Sequence, residues 1–314
     1  MNSKKVVVTG GAGFIGSHIV EYWIGNRAEV HILDNLRSGF IKNIELFSQA
    51  IFHKGSITDR DLVFSVLKDA DYVHHLAALI SVPESMEKPV ECININVNGL
   101  INILDAALKY KVKKVVHSSS AAVYGDNPES PKKTSMRPDP KSPYGITKLD
   151  GEYYLQMYNE TYGLGTTSLR YFNVFGPRQD PNSQYAAAIP IFVSKALKNE
   201  PLLIFGDGEQ TRDFVFVKDV VHANILAATS KKACGVYNVA NGQSITIKQI
   251  AQLIIETTNS KSEIQFVDPR PGDIKHSLAS IESTKTELNF KPAFNLHEGL
   301  RQTILYFMDL FGEK

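Results

Sequence analysis

VVVTGGAGFIGSH, residues Val6 to His18, runs an apolar stretch straight into a cluster of glycines and on into an apolar-periodic segment. The apolar stretch does not alternate with polar residues, which is the pattern of a strand covered on both faces. Gly11, Gly13 and Gly16 fit G-x-G-x-x-G, while Gly10, Gly13 and Gly16 fit the G-x-x-G-x-x-G variant. Both spacings place glycine where a side chain would block a tight turn, or keep a pyrophosphate from the backbone amides at a helix N-terminus. Strand–helix turns use glycine in any case, so the pattern draws its weight from following the first strand.

Further along, "EVHILD", "AIFHKG", "DYVHHLA", "KKVVHSS" and "TTSLRYF" repeat the strand pattern, with helical periodicity between them, as over Phe14 to Ile24 and Val97 to Tyr110. Strand–helix alternation of this kind builds a doubly wound parallel sheet. After about Phe172 the rhythm changes. A loop "GPRQDPNSQYAA" precedes a helix from Ala188 to Lys198, then "PLLIFGDGEQTRDFVFV". Helices over Thr246 to Thr257 and Leu296 to Leu310 flank a short strand "EIQFV". The expected α/β organisation is a Rossmann-like dinucleotide-binding domain, residues 1–173 plus about 213–243. A smaller C-terminal substrate-binding lobe comprises 174–212 plus 244–314.

The 314 residues are 43% hydrophobic and 21% charged, with a net charge of +1. This is ordinary globular composition, long enough to bury a large core. Charges of both signs are mixed, so no basic face points to nucleic acid and no acidic block to disorder. Cys92 and Cys234 lie far apart, outside any metal-like spacing. His74 and His75 fall within an apolar strand, where packing is favoured over ligation. The first strand begins at Lys4 or Lys5, with no room for a signal peptide, and no apolar run reaches membrane-spanning length. A cytoplasmic protein is expected.

The second strand ends in Asp34, placed to accept hydrogen bonds from an adenosine ribose. A carboxylate there repels a 2′-phosphate and favours NAD over NADP, although nearby Arg37 is of the type that accommodates one. Ser118, Ser119 and Ser120 end the fifth strand, at the carboxyl edge where such sheets bind ligands. In "SPYGITK", Ser142 is a candidate cap and Pro143 a first helical residue. Tyr144 and Lys148 then share a helix face at i and i+4. A phenol titrates near ~10, so a base working near neutrality must be held about 3 pH units lower, roughly 4 kcal/mol. One ammonium at about 4 Å, with an effective dielectric near ~20, supplies roughly that much. A serine hydroxyl can orient a substrate oxygen between them. Either half of this set is common by chance; together, on a nucleotide-binding fold, they read as a catalytic group.

"TGGAGFIG", "SSSAAVYG", "SPYGITK", "LRYFNVFGPRQDPN", "GDGEQTRDFVFVKDV" and "PRPGDIKHS" together resemble the extended short-chain dehydrogenase/reductase family over nearly the whole chain. The resemblance is closest to the nucleotide-sugar branch, and within it to UDP-sugar 4-epimerases that act on N-acetylhexosamines. It implies an NAD that stays bound through the cycle. Gly10, Gly13, Phe14 and Ile15 would hold its pyrophosphate, and Asp34, Asn35, Ser38 and Gly39 its adenosine ribose. Leu76, Ala77 and Ala78 would line the cleft, and Tyr144 and Lys148 would reach the nicotinamide ribose. Where the family usually has an aspartate against adenine this chain has Ser56, with Ile57 beside it. The implied reaction begins with Tyr144 taking the proton of the sugar 4-hydroxyl while Ser120 hydrogen-bonds that oxygen. Hydride leaves C4, the 4-keto sugar swings about its diphosphate, and hydride returns to the other face.

By the same resemblance Asn173, Arg212, Arg270 and Asp273 match diphosphate and uridine contacts, and Leu203 and Phe205 a uracil shelf. Ser277 stands where members confined to glucose and galactose carry tyrosine, which opens space for a 2-acetamido group. Ser81, Gln179 and Ala187 match positions around the sugar, whereas Ile80 and Ala122 depart from the usual glycine and serine. A homodimer is implied, through the helices containing "VNGLINILDAALKY" and "KLDGEYYLQMYNETYG", whose apolar faces could equally pack on the sheet. A 4,6-dehydratase would need an acid–base pair where Ala121-Ala122 stands, and a decarboxylase or 3,5-epimerase further titratable groups. A non-catalytic binding protein would not need the serine, tyrosine and lysine.

Overall fold

The computed structural model describes residues 3–181, 187–269 and 275–312. Strands β1 (Lys5–Thr9), β2 (Glu29–Asp34), β3 (Ile51–Lys54), β4 (Tyr72–His75), β5 (Lys114–Ser120) and β6 (Thr166–Tyr171) form where the apolar runs place them. In chain order β7 (Asn173–Phe175), β8 (Leu202–Phe205), β9 (Thr211–Arg212), β10 (Phe214–Phe216), β11 (Gly235–Val239), β12 (Ile245–Thr246) and β13 (Ile264–Val267) follow. Among the described residues the largest sheet has seven strands in the order β11-β6-β5-β4-β1-β2-β3, with every pairing parallel. The chain leaves β1 toward β2 and β3, then crosses back to β4. The crevice this reversal opens, beyond the carboxyl ends of β1 and β4, is where doubly wound sheets take their ligands.

Helices cover both faces because successive residues of a buried strand point opposite ways. Val6 and Val8 of β1 face α1 (Phe14–Gly25), through Ile19 and Trp23. Val7 faces the other way, into a core shared with α2 (Arg60–Leu67) through Val63 and Val66. All three valines are fully buried, each contributing on the order of 2 kcal/mol. His74 does pack, accepting a hydrogen bond from Trp23 Nε1 at 2.9 Å. No metal-ligating cluster of His, Cys, Asp or Glu occurs among the described residues.

After β4 come α3 (Val82–Glu87), α4 (Pro89–Ile93), a π-helical turn over Asn94–Asn98, and α5 (Gly99–Lys109). The helix expected from Val97 therefore starts regularly only at Gly99, where a Cβ would stand 2.5 Å from Ile57 Cδ1. The wide turn points Asn96 inward: its Oδ1 accepts from Leu79 N at 2.7 Å, and its Nδ2 donates to Leu79 O and Thr147 Oγ1, each at 3.0 Å. The apolar face of α5 (Leu100, Ile103, Leu104, Ala107) lies on the sheet rather than outward. Next, α6 (Pro143–Tyr162) buries Leu155 and Tyr158 there and leaves Ile146, Tyr153 and Met157 exposed.

Residues beyond β6 build another core, where α7 (Ala188–Leu197), α9 (Ile247–Thr258) and α11 (Leu296–Phe311) enclose Phe192, Leu202, Ile204, Ile250, Leu300 and Phe307. Helix α8 (Val217–Thr229) instead packs through Val220 and Ala227 with the α1 side of the large sheet. Strand β11 completes that sheet's edge beside β6, and α10 (Glu282–Leu288) packs near it through Leu288. Thr246 and Asn295 start α9 and α11 with capping boxes, so the helix expected from Thr246 begins one residue later. No helix of the described residues is long and apolar enough to cross a membrane.

Candidate active site

A cleft of about 510 Å³ opens at the crevice between β1 and β4. The glycine turn forms its floor. Gly10 adopts φ +71°, and a Cβ there would stand 2.7 Å from Ala77 N. At Gly16 a Cβ would meet Gly10 O at 2.2 Å. Backbone therefore touches backbone at this turn, and only glycine permits it. Gly13 caps α1 without a side-chain hydrogen bond, and Gly10, Gly13, Phe14 and Ile15 all line the cleft. Amides at a helix start with no side chain over them suit a diphosphate.

At the end of β2, Asp34 accepts hydrogen bonds from Ala12 N at 3.0 Å and Leu36 N at 2.8 Å. Burial pushes its carboxyl above the ordinary range, against those two amides. Asn35, Ser38, Gly39, Ser56, Ile57, Leu76, Ala77 and Ala78 line the same cleft. Ser56 Oγ already lies 2.8 Å from Thr58 Oγ1 and accepts from Thr58 N at 3.2 Å, and Ile57 is buried. The glycine turn, the ribose-side carboxylate and the apolar wall fit a dinucleotide with a free 2′-hydroxyl, which is NAD.

The other end of the cleft holds the tyrosine. Ser142 caps α6, its Oγ accepting from Gly145 N at 3.1 Å, with Pro143 in the first turn. Tyr144 and Lys148 leave the same helix face into the cleft, beside Ser118 and Ser119. Ser120 accepts from Ala122 N at 3.1 Å, and its hydroxyl is close enough to the Tyr144 phenol to influence that group's titration. Lys148 is buried beside the tyrosine. Its Nζ donates to Ser118 O at 2.7 Å and lies 5.7 Å from the Tyr144 ring centre. Burial raises the Tyr144 pKa, opposed by the Ser120 hydroxyl, and lowers Lys148 to about 8. Desolvation of both groups thus works against the ion pair that base catalysis needs. His75 and His117 stack at 5.6 Å close by, and burial, followed by the Lys148 charge, keeps both neutral near pH 7.

Behind the serines lies a network that local sequence patterns do not signal. Ser119 Oγ donates to Glu152 Oε1 at 2.5 Å, and Arg170 grips both oxygens of that carboxylate, at 2.8 and 2.6 Å. Both charged side chains are 3% exposed. Glu152 is four residues beyond Lys148 on α6, and that spacing was the one available hint.

Gln179 and Ala187 line the cleft, and Gln179 Nε2 donates to Val174 O at 3.2 Å. The other described residues expected to hold the sugar and nucleotide, Ser120 included, lie outside its lining. Ser81 caps α3. Asn173 donates to Asp213 O at 3.2 Å. Leu203 and Phe205 sit at alternate positions of β8, and Arg212 on β9 donates to Thr211 O at 2.9 Å. Ser277 N donates to the same carbonyl at 3.1 Å, which places Ser277 beside Arg212. Asp213, fully buried, ties this region together by accepting from Asn241 N, Gly242 N and Ala279 N. Arg270 and Asp273 lie outside the described residues.

Residues 6–240 match the NAD dependent epimerase/dehydratase family. A putative UDP-glucose 4-epimerase of Methanocaldococcus jannaschii is 41% identical over 301 residues, 95% of this chain and 97% of that protein. The structure resembles a UDP-N-acetylglucosamine 4-epimerase from Methanobrevibacter ruminantium, solved with UDP-N-acetylmuramic acid. That pair has a TM-score of 0.94 and 46% identity, covering 99% of this chain and 100% of the other. It also resembles the UDP-glucose 4-epimerase of Thermus thermophilus, solved with NAD, with a TM-score of 0.89 and 38% identity over 96% of this chain and 98% of the other.

Proposed function

The chain belongs to the NAD-dependent epimerase/dehydratase family, and on that premise we propose that it reversibly inverts C4 of a UDP-hexose, with UDP-GlcNAc/UDP-GalNAc as the preferred pair and UDP-Glc/UDP-Gal as a second. The observation that carries this reading is Tyr144 with the buried Lys148 in a cleft built for a dinucleotide, next to the serines that end β5. Tyr144 Oη accepts the proton of the sugar 4-hydroxyl, and Ser120 Oγ holds the same oxygen in line. Lys148 contributes a fixed positive charge beside the phenol and holds the carboxyl end of β5 through Ser118 O. Bound NAD supplies a hydride acceptor at C4 and a positive ring that favours phenolate.

Ala121 and Ala122, following Ser120, transfer no proton, so a 4-keto sugar here has no partner for elimination and returns as an epimer. We place the nucleotide grip in the lobe of residues 174–212 and 244–314, where Leu203, Phe205, Arg212, Arg270 and Asp273 would hold uridine diphosphate. The small Ser277 beside Arg212 favours a 2-acetamido sugar. The reading includes a homodimer through α6, as expected, but with α3 and α4 in place of α5, whose apolar face lies on the sheet; these helices expose Met86, Val90, Ile93, Ile146 and Tyr153. Light scattering that finds only monomer at micromolar concentration ends that part.

The test of the reaction is a product assay with UDP-GlcNAc and UDP-Glc side by side, resolving the C4 epimers. Parental protein should convert UDP-GlcNAc without consuming added NAD, and Tyr144→Phe should lose conversion while retaining its cofactor. A Tyr144→Phe protein that works at the parental rate overturns the proposal.

A further inference from the structure

The loop after β2 carries a guanidinium that the chemistry at C4 does not use. Arg37 lines the cleft with Asp34, three residues from it. It is not turned to that carboxylate, which accepts from the amides of Leu36 and Ala12. Instead Arg37 Nη2 donates to Glu84 Oε1 at 2.7 Å and Nη1 to Glu91 Oε1 at 2.5 Å. Those glutamates belong to α3 and α4, so the side chain bridges from the β2 loop to the helices that follow β4. Lys88 Nζ lies 3.5 Å from Glu84 and completes the cluster. The hydrogen bonds from Arg37 are the main reason both glutamates are held below the usual carboxylate range.

An arginine near the ribose carboxylate is the residue that accommodates a 2′-phosphate in NADP-binding members of this fold class. Its planar fork matches phosphate oxygens as well as it matches carboxylates. We infer that Glu84 and Glu91 are cofactor-specificity residues: by holding both terminal nitrogens of Arg37 they deny that side chain to a 2′-phosphate and keep the cleft selective for NAD. A phosphomonoester carries nearly two negative charges at neutral pH. Of the charged groups around this loop only Asp34 and Arg37 line the cleft, and Arg37 is already paired with Glu84 and Glu91 behind it, so the phosphate would face a carboxylate with no free cation beside it. Asp34 alone would leave an unpaired arginine beside it as a competing attraction.

The inference concerns the cofactor and not the sugar, so it and the epimerase reading fail separately. Holoenzyme of the parent, of the double variant Glu84→Gln/Glu91→Gln, and of the triple variant adding Arg37→Ala is dialysed against equimolar NAD and NADP until the bound ratio is constant. Nucleotide is then released by denaturation and resolved by ion exchange. The double variant should hold at least about tenfold more NADP relative to NAD than the parent, and the triple variant should return to the parental ratio. A double-variant ratio within about twofold of the parent overturns the inference, as does a rise that persists without Arg37, which would reflect net charge alone.

Discussion

Replacing Lys148 by methionine keeps most of the side-chain volume and removes the charge. The ammonium stands 5.7 Å from the Tyr144 ring centre. For an ammonium and a phenolate oxygen about 5–6 Å apart, with an effective dielectric near ~20, the attraction is about 3 kcal/mol. That corresponds to about 2 pH units in the phenol's titration. If phenolate is the working form, kcat at neutral pH should fall roughly 100-fold in Lys148→Met. The loss should shrink as pH rises, because the variant's phenol ionises later rather than never. The acidic limb of its profile should therefore move up by about 2 pH units. In the parent, burial has brought Lys148 to about 8. Its charge is full below that pH and fades above it, so the parental profile should bend near there and the variant's should not. The assay is conversion of UDP-GlcNAc across pH 6 to 10, roughly the span of the two titrations, with rates expressed per bound NAD. A loss below about fivefold, or a large loss with an unmoved acidic limb, would refute the electrostatic role of Lys148.

Gly16→Ala forces a Cβ to 2.2 Å from Gly10 O, whereas at Gly25 nothing lies within 4 Å. The first should cost about 1–3 kcal/mol and deplete bound NAD; thermal melts and nucleotide release should find Gly25→Ala near parental. Ser277→Tyr should reduce UDP-GlcNAc conversion at least about 100-fold while sparing UDP-Glc, and equal retention of both would remove the volume argument. Glu152→Gln leaves the buried Arg170 without its counter-charge and should lose about 3–5 kcal/mol in denaturant unfolding. Pairing it with Arg170→Met should restore much of that loss, because two apolar or neutral groups bury more cheaply than one unpaired charge.

The sheet was legible because its strands are buried on both faces. Val6, Val7 and Val8 give an unbroken apolar run, and the glycines that follow have no room for anything larger. Tyr144 and Lys148 were legible because helical spacing alone puts them on one face, and Ser142 and Pro143 announce where that helix starts. The region from Val82 to Asn98 was not. Pro83 and Pro89 break its periodicity into short helices, and a π turn follows, whose width no local pattern encodes. The hydrogen bond from Lys148 to Ser118 O was not legible, because that carbonyl lies 30 positions away in sequence. Glu152 and Arg170, and Asp213 with its three amides, meet only through folding, so each looked like an ordinary polar residue in a strand or helix.

The π turn at Asn94–Asn98 sets a phase. It holds one residue more than an α-helical turn would, and α5 continues from it without another break. Deleting a single residue there would let the helix wind regularly and rotate all that follows by about a quarter of a turn or more. Leu100, Ile103 and Leu104 would swing off the sheet, and Gly99 would no longer face Ile57. A change of length in this segment therefore reaches further than a change of identity: a lost residue would edit the whole inner face of α5 at once, where a substitution edits one position.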